Sequence, residues 1–247
     1  MTRQARLRVH LLSQPTMTTP EGPWVPEQQA TAAEAVVEFA GRVESGSLEH
    51  PRPRTKGTAA YLRHLQEVAR WDLLAHATAT VYITGLSRRC AEVLAGRGDM
   101  TVTRATPAMQ EQELEVVIPP MIAQDESLRD LFLRSMDDAR FAYEQFVEAL
   151  DAQKGEERNA VWEAWQARQA AQAVAPAAVA TSLVVTASMR AWRQVMVGFG
   201  AEHADSESRA LTVELLRILR PVAPALFVDL EEVSGGEPGV ESAYGMD

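Results

Sequence analysis

Long helical patterns next to short strand patterns constrain this chain more than any other feature. Two long helices are predicted at 126–152 and 156–174, where apolar residues recur at helical spacing. Shorter helices are predicted at 27–43, 61–69, 87–95, 190–199 and 206–219, and strands at 6–12, 77–84, 114–120 and 182–186. Helices grouped around a small antiparallel sheet make an α+β fold.

The chain shows no internal repeat and no linker long enough to separate two domains. We therefore predict a single domain over residues 1–232. The remaining residues, 233–247, include Gly235, Gly236, Pro238 and Gly239. Such a composition predicts a flexible C-terminal tail.

The charge of the chain limits its partners. The formal net charge of -10 repels nucleic-acid phosphates and anionic membranes, so neither is an expected partner. A local arginine pocket for a single nucleotide is compatible with this charge. Cys90 is the only cysteine and cannot form an internal disulfide, and the longest apolar stretch, 173–185, is too short to cross a bilayer. With no signal-peptide pattern at the N-terminus, a cytoplasmic location is expected.

Local motifs leave the chemistry open. The five histidines lack the spacing of a zinc site, and Glu-His-Ala-Asp at 202–205 favours a capping role, so no metal site is predicted. The segment Gly-Arg-Gly-Asp at 96–99 is either the turn that ends a helix or a backbone cup for an anion. Arg104, together with Thr101, Thr103 and Thr106, forms a phosphate site, an edge strand or a turn.

Several sequence blocks carry a resemblance to a known family. They are YLRHLQEV at 61–68, LAHA at 74–77, VYITGLSR at 81–88, VIPP at 117–120, NA at 159–160, QARQAA at 166–171, RAWR at 190–193, EHAD at 202–205 and APALF at 223–227. In order and spacing, from about residue 7 to residue 232, they resemble the flavin-dependent thymidylate synthases. The resemblance implies a homotetramer with flavin sites between subunits. In such enzymes reduced flavin passes a folate-derived one-carbon unit to dUMP, with NADPH as reductant.

The signature of that family is altered in this chain. Counted without gaps from Ser87-Arg88, the usual Arg-His-Arg is replaced by Gly96, Arg97 and Gly98. The two signature serines are replaced by Thr101 and Thr106. Arg104 stands where a glutamate or glutamine is usual, and Ala108 stands at the closing arginine.

Substitutions recur at other ligand positions of the family. The resemblance places Gln172 and Phe199 at two substrate arginines. On the flavin side, Asp72 replaces a small hydroxyl residue, and Gln194 replaces a histidine in the block that begins at Arg190. Each arginine–phosphate contact contributes roughly 1.5–3 kcal/mol, so these losses weaken nucleotide binding. Asp72 would also repel flavin phosphates.

These substitutions favour a chain that keeps the family fold without its chemistry. We interpret it as a non-catalytic oligomeric partner or regulator, without catalytic residues and with no cofactor in the standard pose. Two alternatives stay open: an enzyme with altered nucleotide chemistry, and a still active FAD-dependent thymidylate synthase with an unusual signature. Expected partners are a homo-oligomer or a hetero-oligomer with an intact paralogue, and a small nucleotide. The altered substrate pocket is predicted at Arg97, Thr101, Arg104, Thr106, Gln172 and Phe199, and the cofactor positions at Asp72, Arg190 and Gln194.

Overall fold

A computed structural model of the chain describes residues 2–22, 24–106, 109, 114–152, 160–233 and 238–244. Its strands are β1 (Thr2–Gln4), β2 (Arg8–Ser13), β3 (Thr78–Ser87), β4 (Met100–Arg104), β5 (Leu114–Val116), β6 (Ala180–Ser188), β7 (Leu230–Glu232) and β8 (Val240–Ser242). Its helices are α1 (Ala32–Glu44), α2 (Thr58–Glu67), α3 (Arg88–Ala95), α4 (Pro120–Ala123), α5 (Glu126–Ala152), α6 (Ala160–Ala171), α7 (Met189–Gly200) and α8 (Ser206–Leu219). Short 3-10 turns occupy Pro53–Thr55, Trp71–His76, Gln172–Val174 and Pro224–Leu226. This mixture of helices and small sheets confirms the α+β prediction.

The strands form small separate sheets. One sheet has four strands in the order β2-β3-β6-β4, so β4 is an edge strand. Thr101, Thr103 and Arg104 therefore lie on an edge strand, as one of the sequence alternatives had it, while a phosphate site at this segment stays a prediction. β7 and β8 pair antiparallel, whereas β1 and β5 pair parallel, which the sequence did not predict. A parallel pair needs a long connection, and more than a hundred residues separate these two strands.

The chain folds into two compact units, each assembled from separate segments. The first unit contains residues 1–7, 84–94 and 104–183, and the second contains 8–83, 95–103 and 184–247. Because the segments interleave along the chain, no linker marks the division in the sequence. The predicted domain boundary at residue 232 stays a prediction. β8 belongs to the predicted tail and pairs with β7, while residues 234–237 and 245–247 lie outside the described residues.

The core of the first unit lies between the long helix α5 and the chain on either side of β5. Its buried members are Met109, Leu114, Val116, Ile118, Tyr143, Val147, Ala171, Ala175 and Val179. α5 buries only part of its surface, since Phe141 and Phe146 on the same helix are more than half exposed. Its apolar residues therefore exceed what this core covers.

The core of the second unit forms around α7 and α8. Trp192 is fully buried, and its ring N–H donates to the carbonyl oxygen of Ala79 at 3.2 Å. Arg193 is equally buried and pairs with Asp229. Its guanidinium also donates hydrogen bonds to the carbonyl oxygen of Leu226 and to the hydroxyl of Ser242. The buried charge of Arg193 is therefore compensated by Asp229, as burial requires.

Capping side chains decide where several helices begin. Thr31 and Glu34 form a reciprocal capping box, so α1 begins at Ala32, five residues later than predicted. Glu27, predicted to lie in that helix, accepts the backbone N–H of Thr58 at 3.0 Å at the start of α2. Ser188 caps α7. Among the described residues, no helix is both long and apolar enough to cross a membrane.

Candidate functional site

A cleft in the first unit brings together three of the predicted site residues. Arg104, Thr106 and Gln172 line a space of about 260 Å³, together with Arg88, Glu92, Ala105 and Gln169. Arg104 ends β4, Gln172 follows α6, and the first turns of α3 supply Arg88 and Glu92. We call this space the arginine cleft.

Arg88 holds the wall of the arginine cleft in place. Its Nε donates to Glu92 Oε1 at 3.0 Å, one helical turn further along α3. Its Nη1 donates to the carbonyl oxygen of Ala175 at 2.9 Å. The backbone N–H of Arg88 donates to Val179 O at 2.9 Å. Arg88 therefore fixes the chain that follows α6 against the start of α3.

Arg104 is the more available cation of the cleft. Its Nη1 lies 3.4 Å from Glu92 Oε1, and its side chain is 39% exposed. Glu92 thus faces two guanidiniums with one carboxylate, which leaves the cleft with excess positive charge. Thr106 adds an exposed hydroxyl at the same cleft. Guanidinium and hydroxyl donors of this kind suit a phosphate group.

Gln172 is engaged with a neighbouring side chain. It hydrogen-bonds the side chain of Tyr143, a buried residue of the first unit's core. Burial raises the pKa of Tyr143, and the Gln172 bond and the charge of Arg168 oppose this shift only in part. Tyr143 is therefore neutral at physiological pH, and Gln172 ties the edge of the cleft to the core.

A second cleft of the first unit shares Ala105 and Thr106 with the arginine cleft. It encloses about 300 Å³, and we call it the hydroxyl cleft after Thr84, Thr106, Thr181 and Ser182. Thr181 Oγ1 donates to the carbonyl oxygen of Ala105 at 2.9 Å, and the Ala105 N–H donates to Ser182 O at 2.9 Å. These bonds fix the segment that connects the two clefts.

Gly85 shapes the hydroxyl cleft through its backbone. Its φ of +71° is left-handed, and a Cβ at this position would lie 2.2 Å from the carbonyl oxygen of Arg6. Only glycine allows the two backbones to approach this closely. The backbone conformation and the close approach of Arg6 therefore require glycine at position 85.

The glycine-rich segment 96–99 does not form the anion cup, one of the two alternatives that the sequence left open. A nest of backbone amides that binds an anion needs a residue with positive φ. Neither Gly96 nor Gly98 is among the described glycines with positive φ. Arg97 is bound by Asp99, with Nε–Oδ1 and Nη2–Oδ2 distances of 3.1 and 2.7 Å. Arg97 lies in the second unit, and its charge is already compensated.

The predicted cofactor positions lie in the second unit. Asp72 is held by both guanidinium nitrogens of Arg70 at 3.0 and 2.9 Å. These bonds from Arg70 keep the pKa of Asp72 below its ordinary value. The expected repulsion of flavin phosphates is therefore reduced in part, since Arg70 is shared between Asp72 and Glu44. Arg190 is exposed in the first turn of α7, and no hydrogen bond or ion pair joins its side chain to another described residue.

The remaining predicted residues take different places. Thr101 is exposed on β4, whereas Gln194 and Phe199 lie partly buried on α7. Ala108 lies outside the described residues. In the segment 202–205, Asp205 caps α8 by accepting the N–H of Ser208 at 3.1 Å, which confirms the capping interpretation. In the described part of the chain, no three His, Cys, Asp or Glu side chains gather as a metal site would need.

Sequence reasoning missed Arg88, Glu92 and Gln169 as residues of the site. Arg88 and Glu92 stand four positions apart, which places them on one face of α3. That spacing was readable from the sequence. Their convergence with Arg104 and Gln172 depends on tertiary structure, because these residues come from three separate segments.

Comparison with known proteins identifies full-length relatives. The family model described as Thymidylate synthase complementing protein matches residues 28–225. A protein of Corynebacterium diphtheriae named flavin-dependent thymidylate synthase is 42% identical over 251 residues, covering 100% of both chains. Its namesake from Corynebacterium glutamicum is 39% identical over the same span. One from Mycobacterium tuberculosis is 39% identical over 233 residues, 94% of this chain and 92% of the relative.

These relatives correct two expectations. The interpretation as a non-catalytic partner is wrong, because proteins that align with the chain from end to end are named as enzymes. The expectation that no flavin binds is likewise unsupported, because those relatives are named flavin-dependent. The sequence shows the lost arginines position by position, but it does not show that Arg88 and Arg104 converge or that Arg70 pairs with Asp72.

Proposed function

We propose that this chain, which belongs to the flavin-dependent thymidylate synthase family, is an active enzyme that binds its nucleotide through an altered set of cations. The observation that carries the proposal is the end-to-end kinship with proteins named flavin-dependent thymidylate synthase. The proposed reaction is the flavin-dependent conversion of dUMP to dTMP. The arginine cleft supports it, because its chemistry matches a nucleotide phosphate.

We assign the substrate phosphate to the arginine cleft. Among the described residues, Arg104 is held only by a 3.4 Å ion pair to Glu92, so its guanidinium can turn to a phosphate at small cost. Thr106 would donate its hydroxyl from the adjoining wall. Arg88 acts as a positioning residue, since its nitrogens are already bound to Glu92 and Ala175. About 260 Å³ suits a nucleotide fragment rather than a whole dinucleotide.

The described residues also fit a flavin phosphate near the start of α7. Arg190 offers an exposed guanidinium without an ion pair to any described residue, and Ser188 caps the helix beside it. Arg70 binds Asp72 and also pairs with Glu44, so it offsets the charge of Asp72 in part. When bound, FAD supplies the redox and one-carbon transfer chemistry. Arg190 would contribute charge that holds the phosphates.

We also propose that the chain forms a homo-oligomer, as its resemblance to the family implies. α5 and α6 expose Phe141, Phe146, Trp162 and Trp165, each about half exposed or more. The two tryptophan rings stack at 4.7 Å, which makes a flat apolar surface. A surface of this kind favours burial against another chain. We further propose a cytoplasmic location, where the buried thiol of Cys90 stays reduced.

The direct test measures dTMP made from dUMP, methylene-tetrahydrofolate and NADPH by purified protein supplied with FAD. We expect dTMP that depends on each component. Reactions without FAD or without folate are the controls. The Mycobacterium tuberculosis relative run in parallel shows that the assay works. Absence of dTMP from this chain while the relative turns over would defeat the proposal.

Flavin binding is tested separately by fluorescence titration of FAD. The substitution Arg190→Gln should raise the dissociation constant by about fivefold, since exposed charge contacts contribute up to about 1 kcal/mol. Arg217→Gln on α8 is the matched control, because Arg217 is an exposed arginine of the same unit that pairs with Glu214. Equal affinity of the two variants would remove Arg190 from the site.

A further inference from the structure

The last described segment of the chain, residues 238–244, packs against the core of the second unit. We call it the C-terminal strap. β8 lies within it and pairs with β7, and the backbone N–H of Val233 donates to the carbonyl oxygen of Gly239 at 3.0 Å. Val240, at the start of β8, is only 1% exposed. A residue buried to this degree is part of the packed core.

The C-terminal strap lies against the far end of α7. A Cβ at Gly200, the last residue of α7, would lie 2.6 Å from the carbonyl oxygen of Val240. Glycine at this position therefore lets the helix and the strap meet backbone to backbone. The start of α7 is held elsewhere, since the N–H of Met189 donates to the carbonyl oxygen of Ala77 at 2.8 Å, directly before β3. The two ends of the helix thus have separate anchors.

Arg193, in the middle of α7, connects the helix to the strap. Its buried guanidinium donates to the carbonyl oxygen of Leu226 at 2.8 Å and to Asp229 Oδ1 at 2.7 Å. Its Nη2 also donates to the hydroxyl of Ser242 in the strap at 3.1 Å. The guanidinium carbon lies 4.9 Å from the centre of the Trp71 ring. Segments far apart in the chain therefore meet at one guanidinium.

Ser242 contacts both partners of this buried ion pair. Asp229 Oδ2 and the carbonyl oxygen of Tyr244 lie 2.7 and 2.6 Å from its hydroxyl, so either oxygen can accept its proton. The N–H of Tyr244 donates to the same hydroxyl at 3.1 Å, which fixes its position within the strap. A buried ion pair is stable only when further hydrogen bonds satisfy both groups, and Ser242 supplies such a bond.

We propose that the C-terminal strap positions α7 for flavin binding, with Ser242 as the positioning residue. The inference rests on the proposed flavin site at the start of α7. Because that start is fixed, release of the far end lets the helix turn about it, which moves Arg190 and Gln194 relative to the flavin. Arg190 stands about one helical turn before Arg193. Residues that touch no ligand commonly change its affinity by about two- to thirtyfold.

Fluorescence titration of the full-length protein with FAD tests the positioning role. Ser242→Ala should raise the dissociation constant for FAD about threefold, whereas Ser242→Thr, which keeps the hydroxyl, should bind FAD like the natural chain. Glu241→Gln is the matched control, because Glu241 is an exposed residue of the same strand. Each titration is done well below the Tm of the variant, where a loss of stability alone leaves the affinity unchanged. Natural affinity in Ser242→Ala would overturn the proposal.

Hydrogen exchange of the free protein tests the strap without flavin. A chain that ends at Val233 lacks the strap, and one that ends at Tyr244 keeps it. In the shorter chain, amides in the last turns of α7 should exchange faster, while those of α5 in the first unit should not change. A synthetic peptide of residues 234–247, added in excess, should slow the exchange in α7 again. Equal exchange in α7 with and without the strap would refute its role.

The two measurements separate the strap from the flavin site. If the natural chain binds no FAD, the proposed function is contradicted, and hydrogen exchange still decides whether the strap holds α7. If the chain that ends at Val233 does not fold, which a thermal melt shows, Ser242→Ala takes its place in the exchange measurement. Faster exchange in α7 together with weaker FAD binding is the expected result.

Discussion

Replacing Arg104 by glutamine tests the arginine cleft as the phosphate site. The glutamine keeps hydrogen-bonding capacity and removes the charge. A charge-assisted bond to phosphate contributes roughly 1.5–3 kcal/mol, and the 39% exposure of the Arg104 side chain places its contribution at the lower end because water screens the charge. We therefore expect the dissociation constant for dUMP to rise about tenfold. Calorimetric titration with dUMP measures it.

The opposite result is expected for Glu92→Gln. This substitution removes the carboxylate that competes with phosphate for Arg88 and Arg104. Exposed ion pairs of this kind contribute about 0.2–1 kcal/mol, so dUMP should bind about two- to fivefold more tightly. Arg217→Gln, remote from the cleft in sequence and paired with Glu214, is the control. If Arg104→Gln and Glu92→Gln shift the affinity in the same direction, electrostatic recognition in this cleft is refuted.

Two further predictions concern stability. Asp229→Asn should lower the free energy of unfolding by about 3–5 kcal/mol in chemical denaturation, because it leaves the buried charge of Arg193 without a partner. The control Glu214→Gln, at an exposed ion pair, should change the free energy of unfolding little. Burial raises the pKa of Asp229, but the bonds and charge of Arg193 outweigh it and lower the pKa overall. The pair therefore stabilises the fold at pH values above the ordinary aspartate pKa, and this contribution should be lost as the pH falls through the lowered pKa of Asp229. A Tm that does not change over this acidic range would contradict the prediction. Gly85→Ala should cost about 2–4 kcal/mol, from its left-handed φ and the contact with Arg6 O, whereas Gly98→Ala, which meets nothing within 4 Å, should be close to neutral by thermal melt.

The candidate site was only partly readable from the sequence. Arg104, Thr106 and Gln172 were predicted as pocket residues, and the structure brings them to one cleft. Arg97 was predicted for the same role, yet its guanidinium is bound by Asp99 two residues away. A sequence gives the residue type at each position. It does not say which nearby carboxylate takes up the charge.

What the sequence by itself determined is the position of the longer helices and the family. Hydrophobic periodicity and caps are local, so the patterns at 87–95, 190–199 and 206–219 correspond closely to α3, α7 and α8. The framework blocks likewise identified the family, which the family model matching residues 28–225 confirms. Tertiary structure alone decided the parallel pairing of β1 with β5 and the meeting of Arg88 with Arg104. Both depend on contacts between segments far apart in the chain. The register of the strands and the pairing of the charges are set only when these segments pack together in the folded protein.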